Sequence, residues 1–251
     1  MSEKLQKVLA NRGLGSRREI EWWISAGRVT VNNKTAQLGD RVTGEERIQV
    51  DGKLISRKKP AHRYLLYNKR EGEIVSRDDP EGRRSVFDRL PKLKNQRWIS
   101  VGRLDFNTSG LLLFTTDGDL ANQLMHPSSN IDREYAVRVL GDVNDKAIDR
   151  MMHGVLLEDA IYRFTDIRRG SSGYDKESSA NQWFYVVLME GKNREVRRLW
   201  ESQGYTVSRL KRVRFGSFFI PASVKAGQWT DLKPKDVGEL YAMTGAEAYP
   251  T

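Results

Sequence analysis

Leu5, Val8 and Leu9 recur at i, i+3 and i+4, the spacing of one helical face, and Gly13 follows as a stop. Ser16-Arg17-Arg18-Glu19 has the form of a capping box, a serine with an acid three residues on. The helix it opens buries Ile20, Trp23 and Ile24 and ends at Gly27. Val29 and Val31 then alternate as a strand does, Asn32-Asn33 reads as a turn, and Ile48 and Val50 before Asp51-Gly52 predict a further strand pair. Two short helices and a small sheet make a mini-domain over residues 1–60. Ser56-Arg57-Lys58-Lys59-Pro60-Ala61, charged and aperiodic, reads as a linker.

Beyond the linker the pattern turns to strands interrupted by single helices. Tyr64 to Tyr67 and Leu111 to Phe114 predict short buried strands, and Asp117-Gly118 leads into a helix carrying Leu120 and Leu124. Tyr135, Val137 and Val139 alternate, predicting a half-buried strand. Asp145 to His153 reads as a helix with Ala147, Ile148, Met151 and Met152 inward. Trp183 to Met189 predicts a central strand, Asn193 to Gln203 a helix, and Val207 to Phe215 a basic strand. Gly170-Ser171-Ser172-Gly173 reads as a mobile loop. Such an order predicts an α+β fold with a mainly antiparallel sheet.

Composition narrows the function. The 251 residues hold no cysteine, which excludes disulfides, thiolate metal sites and cysteine nucleophiles. His62, His126 and His153 are scattered singly, so no metal site is expected. GxxxxGK[ST], GxGxxG and GxSxG are all absent, and no cofactor is expected. Apolar runs are too short to cross a bilayer, so the expectation is a soluble, cytoplasmic protein without membrane association. Lys+Arg 43 against Asp+Glu 33 gives a net charge of +10, and residues 1–60 carry more than half of that excess. The imbalance suggests a polyanionic partner.

Two stretches carry candidate chemistry. Gly102-Arg103-Leu104-Asp105-Phe106-Asn107-Thr108-Ser109-Gly110 sits between two strand-like segments and would present the Asp105 carboxylate on a loop. The same residues also suit an ordinary turn, since Asp, Asn, Thr and Ser bond their own backbone. Glu190-Gly191-Lys192-Asn193-Arg194-Glu195-Val196-Arg197-Arg198-Leu199-Trp200, wound as a helix, puts Val196, Leu199 and Trp200 opposite a basic stripe. Arg197 falls on the stripe's edge nearest Trp200, where partial burial requires a carboxylate partner; the plain alternative is a surface pair with Glu201. Ser208 to Arg214 would continue the basic surface as a strand, which suits nucleic acid.

In order along the chain, Gly-Arg-Leu-Asp-x-x-Thr-Ser-Gly-Leu-Leu-Leu-x-x-Thr-x-Asp-Gly (Gly102 to Gly118), Glu134-Tyr135, Glu-Gly-x-Asn-Arg-x-Val-Arg-Arg (Glu190 to Arg198) and Leu210-x-Arg212 resemble the ribosomal RNA pseudouridine synthases. The branch is that of the small-subunit rRNA synthase, and within it the large-subunit (23S) rRNA synthase B type. The first sixty residues resemble the small αL RNA-binding domain of ribosomal protein four of the small subunit. The resemblance implies three parts: an αL domain over 1–60, a synthase domain over 61–240 with a mixed, mainly antiparallel sheet flanked by helices, and a tail over 241–251.

It also implies the activity, uridine to pseudouridine isomerisation without a cofactor, and a place in rRNA processing and ribosome biogenesis. Asp105 matches the essential aspartate, and Tyr135 the tyrosine that stacks on the target uracil. Arg197 matches the arginine paired with that aspartate, and Leu210 an apolar pocket residue. Arg103 matches an arginine that helps displace the base in a sister branch. RNA contacts are expected from Arg17, Arg18, Arg28, Arg194, Arg198, Arg209 and Arg212. The implied partner is a 23S rRNA stem-loop or assembly intermediate, met by a monomer. A silent RNA-binding assembly factor is the competing class, and it has no use for Asp105, Tyr135 and Arg197 together.

Overall fold

The computed structural model describes residues 2–57, 61–158, 160–170 and 181–245. Half of the expected linker, the body of the Gly170–Gly173 loop and the end of the tail therefore lie outside the described residues. The chain forms two compact units. One is Met1–Arg63 with Pro91–Ile99 and Thr116–Gly118; the other is Tyr64–Leu90, Ser100–Thr115 and Asp119–Thr251.

The first unit runs β1 (Glu3–Lys4), α1 (Leu5–Asn11), α2 (Arg17–Ser25), β2 (Val29–Val31), β3 (Lys34–Thr35), β4 (Arg41–Val42), β5 (Ile48–Val50) and β6 (Lys53–Leu54). α2 starts where its capping box predicts: Ser16 Oγ accepts the Glu19 amide at 3.0 Å and the Glu19 carboxylate accepts the Ser16 amide at 3.2 Å. Asn32 and Asn33 both take positive φ, which gives the tight turn joining β2 to β3. Leu5, Leu9, Ile20, Ile48 and Val29 are fully buried and form the core between the helices and the sheet β3-β2-β5-β6. The unit also takes in residues beyond the expected boundary at 60. Gly13, at φ +76°, lies so close to the backbone of Gln96 that a Cβ there would meet Gln96 N at 2.4 Å.

The second unit is built on one large sheet. Its strands are β7 (Tyr64–Lys69), β8 (Ile99–Val101), β9 (Ser109–Thr115), β10 (Arg133–Leu140), β11 (Val155–Leu157), β12 (Ala160–Tyr162), β13 (Asp166–Arg169), β14 (Asn181–Leu188), β15 (Thr206–Phe215), β16 (Phe218–Phe219) and β17 (Trp229–Asp231). Its helices are α3 (Gly118–Met125), α4 (Asp145–His153), α5 (Glu195–Ser202) and α6 (Pro234–Ala242). The sheet order is β13-β14-β10-β15-β9-β7-β17, while β11 and β12 form a separate hairpin. Along that order every pair is antiparallel except β15 with β9, where Lys211 faces Ser109 and Arg212 faces Gly110. The fold is α+β, as the element order predicts.

Two expectations change. β14 is one strand in from the edge rather than central, so Trp183 and Tyr185 are exposed on one face while Phe184 and Val186 are buried on the other. The expected tail begins inside α6, where Tyr241 is buried and its hydroxyl meets that of Tyr64 at 2.9 Å.

Candidate active site

Asp105 lies on the loop between β8 and β9, half-buried, on a cleft of about 1230 Å³ in the second unit. The loop's four consecutive carbonyls are each held. Asp105 O accepts the Thr108 amide at 3.0 Å, closing a tight turn. Phe106 O accepts the Gly72 amide at 2.8 Å. Asn107 O accepts Arg197 Nη2 at 2.9 Å. The carbonyls of Asp105 and Thr108 also both accept Lys69 Nζ, at 3.0 and 2.7 Å. A loop tethered from three directions fixes where its carboxylate points, which a mobile turn would not do.

Lys69 was not among the expected residues. It ends β7 with no exposed surface, and its third bond goes to Arg70 O at 2.9 Å. Burial pushes its ammonium down to about 8, against the pull of Glu73, Asp105 and Glu71. Its partners lie 36 and 39 residues on, so no local pattern marks it.

Arg197 is buried, as its place on the helix edge predicts, but it makes no ion pair with Asp105 among the described residues. It is a backbone clamp: Nη1 donates to Val207 O and Nη2 to Asn107 O, both at 2.9 Å, so it ties α5 and β15 to the Asp105 loop. Burial lowers its pKa, the Arg194 charge adds to that, and the Asp105 charge opposes it. Glu201, the alternative partner, pairs with Arg194 at 3.6 Å instead.

Tyr135 on β10 and Leu210 on β15 are both buried and line the cleft with Asp105. Arg103 is exposed at its rim. Arg194 caps α5 at φ +50°, exposed on the same cleft. The expected RNA contacts divide. Arg17 and Arg18 are exposed on the first turn of α2, and Arg209 is exposed on β15. Arg28 is already engaged, with Nε 2.8 Å from Asp51 and its guanidinium over Trp22 and Trp23. Arg198 pairs with Glu158 at 3.1 Å and donates to the Tyr162 hydroxyl at 3.1 Å.

Arg212 departs furthest from expectation. It is 2% exposed and lines the cleft, because strand alternation puts it on the same face as buried Leu210. Among the described residues no group of three or more His, Cys, Asp or Glu could hold a metal ion. No described helix is long and apolar enough to cross a membrane.

The family pattern of RNA pseudouridylate synthases matches residues 63–202, and that of the S4 domain matches residues 3–48. The chain belongs to the RNA pseudouridylate synthase family, isomerases of RNA, and carries an RNA-binding S4 domain ahead of the synthase domain. More particularly, it is similar to proteins named ribosomal large subunit pseudouridine synthase B. That of Pseudomonas aeruginosa is 54% identical over 248 residues, covering 98% of this chain and 63% of the relative. That of Vibrio cholerae is 56% identical over 244 residues, 96% of this chain and 74% of the relative. That of Escherichia coli K12 is 56% identical over 237 residues, 92% of this chain and 80% of the relative. A crystal structure of a pseudouridylate synthase shares the fold, at a TM-score of 0.65 and 22% identity over 94% of this chain and 99% of that one.

Proposed function

We propose that this protein isomerises a uridine of large-subunit (23S) ribosomal RNA to pseudouridine, with Asp105 as the essential carboxylate. The N1–C1′ bond breaks, the uracil turns in place, and C5 bonds to C1′. The C5 hydrogen is lost and N1 gains one, so no oxidant, phosphate or net water is consumed. Asp105 acts at the ribose, as nucleophile or base. Tyr135 supplies an aromatic face for a base taken out of the stack, and Leu210 an apolar wall that keeps the loose base in place. Arg197 and Lys69 hold the Asp105 loop. Arg103 at the rim helps displace the base.

The S4 domain docks on phosphates through Arg17 and Arg18, with Arg194 and Arg209 contacting the strand near the cleft. The protein works in the cytoplasm, as a monomer, on an rRNA stem-loop or assembly intermediate. The observation that carries this reading is a cleft-facing carboxylate on a loop whose four carbonyls are all tethered.

Asp105→Asn removes charge and almost no volume. The test is tritium release from [5-³H]uridine-labelled rRNA, which reports loss of the C5 hydrogen. The variant is expected to bind RNA as the wild type does and release no tritium. Activity within about tenfold of wild type means another carboxylate does the chemistry.

A further inference from the structure

The cleft holds buried positive charge that this reading does not use. Arg133 on β10 and Arg212 on β15 both line it, 9% and 2% exposed. Their guanidinium carbons lie 5.3 and 5.5 Å from the centre of one ring, Phe215. Arg133 donates to the carbonyls of Ile131 and Met189, and Arg212 donates through Nε to the carbonyl of Leu111 at 2.8 Å. Neither forms an ion pair with a carboxylate among the described residues. Asp105 and buried Glu195 are among the acids of the cleft wall; the Glu195 carboxylate accepts the Lys192 amide and its pKa is raised by burial.

Two residues that line the cleft each carry a buried polar atom without a partner, Arg212 Nη2 and Thr108 Oγ1. The parallel pairing of β9 and β15, with Gly110 opposite Arg212, brings the strand that follows Thr108 against the one carrying Arg212. Buried like charges without an ion-pair partner, and a buried donor with no acceptor, are both unfavourable. An anion in the cleft relieves both.

The proposed reaction makes such an anion. When N1–C1′ breaks heterolytically the electron pair leaves with the base, and the charge spreads over N1, O2 and O4. We infer that Arg212 Nη2 and Thr108 Oγ1 hold the detached uracil as its anion, with Arg133 strengthening the field on it. These donors are fixed before the charge develops, which is where such groups gain most. The charge is consumed when C5 bonds to C1′, the C5 proton leaves and N1 is protonated. A backbone phosphate is the other anion these groups could meet, and the two differ in a measurable way.

The inference rests on the isomerase reading, so wild type and Asp105→Asn are run alongside. If wild type converts no rRNA, that reading fails whatever Arg212 does. The test compares single-turnover rates of N1–C1′ bond loss by full-length wild type and Arg212→Met on an rRNA fragment carrying uridine or 5-fluorouridine at the target, since the fluorinated base has no C5 proton to lose and stops at the C5-bonded adduct. Fluorine stabilises the anion by itself, so the fluorinated base needs Arg212 less. The Arg212→Met rate is expected to fall about 100-fold on uridine and about tenfold less on 5-fluorouridine.

Partial misfolding scales both rates equally and cancels in the ratio. Equal losses on both RNAs overturn the inference. A salt slope of RNA binding reduced by about 0.7–0.9 with no change in the ratio assigns Arg212 to a phosphate and also overturns it. Should Arg212→Met not fold, wild type alone decides. 5-Nitrouracil, ionised at neutral pH, is expected to inhibit at about tenfold lower concentration than uracil, and equal inhibition refutes the anion cradle.

Discussion

Replacing Lys69 with Met tests how the Asp105 loop is held. Met matches the lysine stem in length but removes the ammonium, leaving the carbonyls of Arg70, Asp105 and Thr108 without that donor. Bonds from a charged donor contribute about 1.5–3 kcal/mol each, so three give roughly 5–9 kcal/mol gross. Against this, taking an ammonium out of water costs several kcal/mol, leaving a net loss of about 2–3 kcal/mol in the variant. For a domain of this size that lowers the melting temperature by about 5–10 °C.

The sign of the pH dependence follows from the lysine's folded pKa of about 8, below its ordinary 10.5. The folded state releases the proton first, so this group adds stability as pH rises from 8 to 10.5 and loses it again as pH falls through 8. Thermal melts by circular dichroism across pH 7–11 therefore show a wild-type advantage over Lys69→Met that widens in that window. Turnover falls about tenfold at temperatures where both are folded, through displacement of the carboxylate. A melting point within about 2 °C of wild type at pH 7, with parallel pH curves, would refute the tether.

Three further outcomes are expected. Gly110→Ala puts a Cβ 2.1 Å from Arg212 O at φ +108°, so urea unfolding should show a loss of at least about 3 kcal/mol, or no folded protein. Arg17→Gln with Arg18→Gln should lower the salt slope of RNA binding by about 1.4–1.8 and leave the saturated turnover rate unchanged. Glu46, held down to about 2 by the amides of Thr43 and Gly44, stabilises the fold above about pH 4.5, and that contribution is lost as pH falls towards 2. Acid titration of Glu46→Gln should lack that part of the slope.

The parts of this molecule governed by neighbours in sequence were readable from it. The Ser16 capping box, the Asn32-Asn33 turn and the inward faces of α2 and α4 each follow from a few adjacent residues. Asp105 could be singled out because motif and resemblance coincide there. Lys69 could not, since it lies past the apolar run Tyr64 to Tyr67 and only contacts far along the chain bury it. Arg212 was legible in part. If Leu210 faces inward, its neighbour two residues on shares that face, but the run of basic residues around it suggested solvent. Arg197 reads from the sequence as partly buried beside a carboxylate, whereas what it touches is backbone, which no side-chain pattern announces.

The parallel union of β9 and β15 also sets when the site can exist. Arg212 Nε reaches a carbonyl 101 residues back, at Leu111; Asp105 sits just ahead of that span while Tyr135, Arg197 and Leu210 are spread along it. Closing a loop of that size is an entropic cost met before any of its contacts form. A nascent chain that has emerged only as far as α5 carries the aspartate, the tyrosine and the clamp arginine but lacks the strand that gathers them. The RNA-binding first unit has its own core, whereas catalytic competence arrives late in synthesis, so a partly made chain has its RNA-binding core before it has an active site.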